Sequence, residues 1–311
     1  MPNRRTFLQK SAQFGASILA APTLLGQQWD ETVPIVDTHV HFWELDRLEY
    51  PWLENKISPL SRDFTVSDYQ QATQGHPVEK IVFVESGRVP DQYLSEVEWV
   101  QQLAEQHAWI GGMVAYFPVD KGQSAQAELE QLASYPLVRG IRSMGNNPEQ
   151  IQSAQYQEGL KLLTEHKLSL DIHISASRAD EFLPLIDQHP NLIFVLNHLG
   201  LPDVKNGELA AWKTGMQQLA ERPNVYCKLS GLLTRCGPEQ INSTHLKPYI
   251  QAPLEYFRTE RVMFGSDWPV LTRADSFNRW MQVLDEPLTG LNHSELTAIF
   301  AGNAKEVYRI D

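Results

Sequence analysis

The sequence predicts a single α/β domain, a (β/α)8 or TIM barrel, and three observations support that prediction. Eight short apolar runs alternate with amphipathic segments along the chain, and such alternation implies parallel strands joined by helical crossovers. A chain of 311 residues has the length that eight such units need. The alternative, an open doubly wound sheet, usually has a glycine-rich loop after its first strand. Here the first apolar run instead continues into "HVHFW".

The predicted strands are β-branched or otherwise apolar and have the length of buried strands. They cover residues 35–41, 80–86, 110–117, 138–144, 168–175, 192–199, 225–232 and 262–270. Between them, segments such as 92–107 and 158–167 place apolar residues at spacings of three and four, which predicts amphipathic helices. The connection 42–79 is too long for a plain turn, and long loops often cover binding sites.

The first 26 residues are expected to be an export signal and not part of the barrel. The stretch "RRTFL" at 4–8 is followed by a weakly apolar segment rich in small residues. This order resembles a bacterial twin-arginine signal peptide, although Lys10 comes one position later than usual. An amphipathic N-terminal helix is the alternative. We therefore expect a signal at 1–26 and a barrel at 27–311, with the twin-arginine export machinery as a partner and the periplasm as the destination.

Composition excludes several classes of protein. The net charge is −12, and loss of residues 1–26 removes three cations and no acid, which makes it −15. Nothing resembles the basic stripe of a nucleic-acid-binding protein, and no segment has the roughly 20 unbroken apolar residues of a membrane span. Two cysteines do not make a disulfide framework. Cys227 is expected to pack as a small apolar residue, and a bridge to Cys236 stays open.

Polar residues gather at the C-terminal ends of the predicted strands, where a barrel places its active site. A His-x-His pair alone is weak evidence, but here four histidines fall at three strand ends. The residues concerned are His39, His41, Glu85, Arg142, His173, His198, Lys228 and Asp267. Their convergence on one rim predicts a functional site.

Some of these polar residues also have a purely structural interpretation. Asp37 can cap a turn or form a bond inside the barrel, and Glu85 can be a solvated rim residue. Lys228 can point outward and pair with an acid on a helix. A histidine such as His198 can simply be a buried, hydrogen-bonded residue. These readings stay open at the level of sequence.

A family resemblance rests on six short motifs that occur in order over nearly the whole chain after residue 26. They are "DTHVHFW", "YPWL", "GIR", "NHLGLP", "KLSGL" and "MFGSDWPV". Together they resemble the metal-dependent hydrolases of the amidohydrolase superfamily, and most closely the Amidohydrolase-2 branch that includes fuconolactonases and rhamnonolactonases. The resemblance implies an active site made by His39, His41, His173, His198 and Asp267.

The resemblance also bears on the cofactor. Two-metal members bridge their ions with a carbamylated lysine at the end of strand four, but here that strand ends in "GIRSM", with Arg142 and no lysine. This argues against a two-metal site. The remaining set implies one divalent ion, zinc by preference, held by His39, His41, His173 and Asp267 with one position open. Some lactonases of this branch work without a metal, so a metal-free site stays open.

The function that the resemblance favours is hydrolysis of a sugar-derived lactone, a small-molecule substrate. Asp267 is the predicted general base, and His198 and Arg142 are predicted to stabilise the charged intermediate. The predicted substrate-binding residues are Trp43, Glu85, Arg142, Lys228 and Trp268. Trp43, Trp52 and Trp268 either wall a sugar ring or pack beneath the long loop. A metal-dependent non-oxidative decarboxylase and a non-catalytic exported binding protein are the alternatives.

Overall fold

The computed structural model describes residues 32–53, 58–143 and 147–311. The predicted export signal at 1–26 lies outside the described residues. In this structure eight parallel strands follow one another in sequence order around one sheet, which confirms the predicted barrel. The strands are β1 Ile35–Val40, β2 Val78–Val84, β3 Ile110–Tyr116, β4 Val138–Ser143, β5 Ser169–Ile172, β6 Phe194–Leu196, β7 Val225–Leu229 and β8 Val262–Phe264.

Helices alternate with these strands and surround the sheet. They are α1 Val66–Ala72, α2 Tyr93–Gln106, α3 Gln126–Ala133, α4 Pro148–Ile151, α5 Ala154–Glu165, α6 Leu183–Gln188, α7 Leu209–Ala220, α8 Ser243–Phe257, α9 Phe277–Asp285, α10 His293–Thr297 and α11 Asn303–Tyr308. The two amphipathic segments identified from the sequence form α2 and α5. Their apolar stripes are buried against the barrel, as the spacing predicts.

The barrel is nearly closed by contacts between β1 and the segment that follows β8. Val40 and Trp268 form a parallel bridge. The backbone N–H of His41 donates to the carbonyl of Trp268 over 2.8 Å, and that of Asp267 donates to the carbonyl of His39 over 2.9 Å. These bonds bring the two ends of the domain together, so that His41 and Asp267 lie at the same rim.

The core has two parts. The larger part packs the strands against the helices around the sheet. In the smaller part, residues of several strands, among them Val36, Val82 and Met263, pack against Val307 and Tyr308 of the C-terminal helix α11. The C-terminal helix is therefore an integral part of the barrel, and Tyr308 reaches polar groups beneath the site.

Several strands end earlier than the sequence predicts. β5 ends at Ile172, β6 at Leu196 and β8 at Phe264, so His173, His198 and Asp267 follow their strands instead of closing them. His198 and Asp267 have positive φ angles of 53° and 63°, a left-handed conformation that a strand cannot contain. The polar residues thus lie in the first turns of the loops that form the rim.

Both cysteines are free thiols, and Cys227 is buried as expected of a small apolar side chain. No helix in the described ranges is long and apolar enough to cross a membrane.

Candidate active site

A cavity of about 400 Å³ opens at the rim where the strand ends meet. Six of the residues predicted from the sequence line it: His41, Glu85, Arg142, His173, His198 and Asp267. All six are largely buried apart from the face that each presents to the cavity. A recess of this size at the C-terminal end of a barrel is the expected place for a small-molecule site.

The carboxylate of Asp267 lies at the centre of a group of three imidazoles. Its Oδ1 atom is 3.6 Å from Nε2 of His41, 3.8 Å from Nε2 of His39 and 3.9 Å from Nε2 of His198. We refer to these four residues as the Asp267 cluster. Three ring nitrogens, from β1, from the residue that follows it and from the β6 loop, therefore face one carboxylate oxygen from the β8 loop.

The other ring nitrogen of each histidine is held from outside the cluster. Nδ1 of His41 donates to the carbonyl of Val84 over 2.8 Å, because a carbonyl oxygen can only accept. Nε2 of His41 is therefore the ring nitrogen that faces the carboxylate of Asp267. Nδ1 of His198 lies 2.9 Å from the hydroxyl of Ser230. These contacts orient the rings as outer hydrogen bonds orient the histidines of metal sites.

Burial keeps His39, His173 and His198 neutral. Desolvation, reinforced by neighbouring positive groups, places the pKa values of His39 and His198 well below their usual range. Desolvation, with smaller contributions from Arg142 and Arg235, lowers the pKa of His173 to about 3. Neutral imidazoles can accept a proton or bind a metal, whereas imidazolium cannot.

Three residues of the Asp267 cluster fit one divalent cation. The ligand atoms of His39, His198 and Asp267 all lie within 4.8 Å of one another, and the buried Nε2 of His39 has no hydrogen-bond partner. Two imidazoles and a carboxylate are a common ligand set for zinc. His41 and His173, which the sequence also predicts as ligands, lie outside this three-residue group. The ring of His173 packs edge-on against that of His198 at a centroid distance of 5.4 Å, and metal binding by either residue stays a prediction.

The backbone around His198 is strained. His198, Leu199, Gly200 and Leu201 all have positive φ angles, which side chains other than glycine rarely adopt. Gly231 packs directly on the ring, since a Cβ there would lie 2.5 Å from Nδ1 of His198. Strain of this kind persists where the surrounding structure enforces it, and it is common at functional sites.

Asp37 is a buried structural acid. Its carboxylate accepts hydrogen bonds from the backbone N–H of Ser266 over 2.8 Å and of His39 over 3.2 Å, and from the hydroxyl of Tyr69 over 3.0 Å. It therefore joins β1 to the β8 loop behind the cluster. Desolvation raises its pKa to about 6 despite these bonds.

Lys228 lies inside the barrel beneath His39 and does not line the cavity. Its ammonium group is 2.6 Å from Oδ2 of Asp171 and 3.5 Å from Nδ1 of His39. The hydroxyl of Tyr308 donates to the same Asp171 oxygen over 3.0 Å. The pair is fully buried, so Lys228 does not point outward to a helix acid. The substrate-binding role that the sequence suggested for Lys228 stays a prediction, whereas its contact with His39 is direct.

Glu85 and Arg142 form a buried pair on the cavity wall, with Nη1 of Arg142 3.5 Å from Oε1 of Glu85. Behind them, Arg88 lies 3.7 Å from Glu85 and 3.6 Å from Glu96 of helix α2. Glu85 is thus not a solvated rim residue. Two acids and two arginines form one buried network, so the positive charge of Arg142 is opposed by Glu85.

Comparison with known proteins agrees with the geometry. The sequence profile of the amidohydrolase family matches residues 36–310. The chain belongs to the amidohydrolase family. It is 28% identical over 283 residues to an L-fucono-1,5-lactonase of Burkholderia ambifaria. That alignment covers 89% of this chain and 96% of the lactonase. It is 22% identical over 335 residues to an L-rhamnono-gamma-lactonase of Scheffersomyces stipitis, covering 89% and 98%. An amidohydrolase of Burkholderia multivorans with bound zinc has the same fold, with a TM-score of 0.79, 24% identity and coverage of 89% and 99%.

The tryptophans of this amidohydrolase differ in where they lie. Trp43 and Trp268 are buried and do not line the cavity. Both pack edge-on against Phe64 beneath the long β1–β2 connection. Trp52 is 44% exposed and lies on the cavity wall, where its indole N–H donates to the carbonyl of Ser86 over 2.9 Å. A ring wall for substrate is therefore available from Trp52, and substrate contact by Trp43 or Trp268 stays a prediction.

Sequence reasoning missed one charged residue of the amidohydrolase cavity, Arg235. It closes the short turn Leu233–Arg235 that follows β7, and it lines the cavity together with Thr234. The only signal in the sequence was its place in a loop after a strand, which a barrel directs toward the site.

Proposed function

We propose that this amidohydrolase opens a sugar-derived lactone by hydrolysis, with Asp267 as the general base. The observation that carries the proposal is the Asp267 carboxylate, which reaches the cavity among three imidazoles at 3.6 to 3.9 Å. A carboxylate held at that position can take a proton from a water molecule. Relatives of similar length that are named lactonases support the ester-type reaction.

The proposed reaction proceeds in two steps. Asp267 removes a proton from water as the water oxygen attacks the lactone carbonyl, which gives a tetrahedral intermediate. The intermediate then collapses with cleavage of the ring C–O bond, and Asp267 returns the proton to the leaving alkoxide. Arg142 and His198 both line the cavity, and we assign to them the stabilisation of negative charge on the intermediate, the largest single term in many such reactions. His198 takes this role in a metal-free site, whereas with zinc bound it would be a ligand and Arg142 would carry the role.

We propose zinc as the metal of this site, held by His39, His198 and Asp267 with His41 beside them. The ligand types suit zinc, and zinc is bound in the Burkholderia multivorans amidohydrolase. A bound zinc ion would polarise the lactone carbonyl and lower the pKa of the attacking water.

The experiment that tests this function is a panel of aldonolactones assayed by proton release, before and after metal stripping. Hydrolysis of at least one lactone supports the proposal, and the effect of stripping shows whether the metal is catalytic. Release of carbon dioxide from aromatic acids, without lactone hydrolysis, would instead assign a decarboxylase. Turnover of no lactone, ester or aromatic acid would contradict an enzymatic role.

A further inference from the structure

One contact of the Asp267 cluster comes from inside the barrel, and it is made by a hydrogen-bond donor. The ammonium of Lys228, on β7, lies 3.5 Å from Nδ1 of His39. Both side chains are fully buried. An ammonium group has three donors and no acceptor, so Nδ1 of His39 is the acceptor in this contact.

A second set of contacts holds Lys228 in place as a charged group. Its Nζ atom lies 2.6 Å from Oδ2 of Asp171 and 5.4 Å from the ring centre of Tyr308. The hydroxyl of Tyr308 donates to the same oxygen of Asp171 over 3.0 Å. The ammonium is therefore fixed between a carboxylate and the imidazole of His39, and its charge is paired inside the barrel.

The position of the proton on the His39 ring follows from these contacts. Lys228 and Nδ1 of His39 cannot both donate, so Nδ1 carries no proton. An imidazole has at least one N–H group, and the proton of His39 therefore lies on Nε2. This is the nitrogen that lies 3.8 Å from Oδ1 of Asp267.

His41 has an outer contact of the opposite polarity. Its Nδ1 donates to the carbonyl of Val84 over 2.8 Å. A histidine that binds a metal through one nitrogen usually donates its other N–H to such an acceptor. In the same position His39 meets a cation that donates to it, which is unfavourable for a metal ligand.

We infer that Lys228 is a positioning residue that holds the proton of His39 on Nε2 and thereby weakens zinc binding at the Asp267 cluster. The inference rests on the zinc site proposed above. Zinc binds a ring nitrogen without a proton, so binding at Nε2 places the proton of His39 on Nδ1. That proton faces the ammonium of Lys228, and the hydrogen bond between the two residues is lost. The cluster therefore exchanges zinc more easily than its ligand atoms alone imply.

The first test compares zinc affinities of full-length variants by competition with a chromophoric chelator. Lys228→Met alone leaves a buried carboxylate unpaired, and that charge would itself attract zinc. The double variant Lys228→Met, Asp171→Asn removes the ammonium together with its counter-charge. It should bind zinc about 10- to 100-fold more tightly, the range expected for a hydrogen bond that involves a charged group.

Two further variants serve as controls for the double variant. Tyr308→Phe is the matched control, because it removes a bond to Asp171 and keeps the ammonium beside His39. It should leave the zinc affinity unchanged. Asp171→Asn alone, which keeps Lys228, should not tighten zinc binding. Unchanged or weaker binding in the double variant would overturn the inference, and so would equal tightening in Tyr308→Phe.

The second test reads the proton position in the unaltered, zinc-free protein, so it does not depend on the folding of the double variant. Histidine rings labelled with ¹⁵N show by one-bond coupling to hydrogen which nitrogen carries the proton, and His39→Asn assigns the signals by their loss. A proton on Nε2 of His39 supports the inference, and a proton on Nδ1 overturns it.

Failure of the proposed zinc site is distinguishable from failure of this inference. If the unaltered protein binds no zinc, zinc binding gained by the double variant would still support the role of Lys228. If neither protein binds zinc, the effect of Lys228 on zinc is contradicted, and the ¹⁵N measurement decides its positioning of His39 alone. Neither test requires that a lactone be hydrolysed.

Discussion

Nε2 of His41 lies 3.6 Å from Oδ1 of Asp267, although the two residues belong to the first and the last strand units of the barrel. The contact depends on closure of the sheet, because the N–H of His41 bonds to the carbonyl of Trp268, the residue after Asp267. The same backbone bonds that complete the barrel therefore place the proposed base beside its imidazoles.

Asp267→Asn should lower lactone kcat by about 100- to 10,000-fold, the range that general-base catalysis contributes. The amide has the shape of the carboxylate but cannot take a proton from water. Circular dichroism and thermal unfolding should show an intact fold, because the backbone bonds at this position do not involve the side chain. Asp46→Asn, at an exposed acid, is the control. Substantial remaining activity in Asp267→Asn would exclude Asp267 as the base.

Metal analysis should separate the two candidate ligand sets. Since His198 belongs to the group with His39 and Asp267, His198→Ala should lower bound zinc well below one ion per chain. His173→Ala should retain zinc, because His173 is outside that group. The measurement is zinc content after dialysis against a defined free-zinc concentration. Loss of zinc in His173→Ala alone would restore the ligand set expected from sequence. Full activity of a zinc-free sample would exclude a catalytic metal.

Lys228→Met should destabilise the protein by about 3 to 5 kcal/mol, the usual result of removing one member of a buried ion pair. The ammonium of Lys228 lies 2.6 Å from Asp171, and among the described residues its loss leaves that carboxylate with the hydroxyls of Tyr308 and Ser169. The double variant Lys228→Met, Asp171→Asn should recover a large part of the loss, as measured by denaturant unfolding. Because Lys228 also contacts His39, kcat should fall in both variants. Additive losses in the double variant would contradict a coupled pair.

Much of the fold was predictable because its signal is local. Each buried strand is a short apolar run, and helices such as α2 and α5 show their apolar stripe in the sequence. The convergence of His41, His198 and Asp267 was also predictable, since the carboxyl ends of parallel strands meet at one rim.

The remainder was not predictable because it depends on partners that are distant along the chain. Asp171 and Lys228 pair inside the barrel and meet Tyr308 from the C-terminal helix, and no spacing in the sequence relates the three. The side chain of Arg235 is held by hydrogen bonds to two carbonyls of the β6 loop. The left-handed backbone of that loop has no clear sequence pattern. The strand ends alone also do not show that the ligand atoms of His39, His198 and Asp267 lie together without that of His173.

Glu96 should make stability depend on pH. Desolvation, with a further contribution from Glu85, raises the pKa of Glu96 to about 8, although Arg88 opposes the shift. In the unfolded chain a glutamate has a pKa of about 4.3. Between these values the folded state binds more protons than the unfolded state, so this residue makes the free energy of unfolding fall as pH rises. Below that window and above it, the contribution is constant.

Glu96→Gln should remove that contribution. Relative to the unaltered protein, the free energy of unfolding of the variant should rise by about 1 to 4 kcal/mol between pH 5 and pH 8. The amide still accepts the N–H of Ser86 that now bonds to Glu96 over 2.8 Å, but it cannot form the ion pair that an ionised Glu96 makes with Arg88 at high pH. The test is therefore the change with pH and not the offset at one pH. Glu98→Gln, at an exposed position of the same helix, controls for the substitution itself. Parallel pH profiles for Glu96→Gln and the unaltered protein would show that Glu96 is ionised throughout.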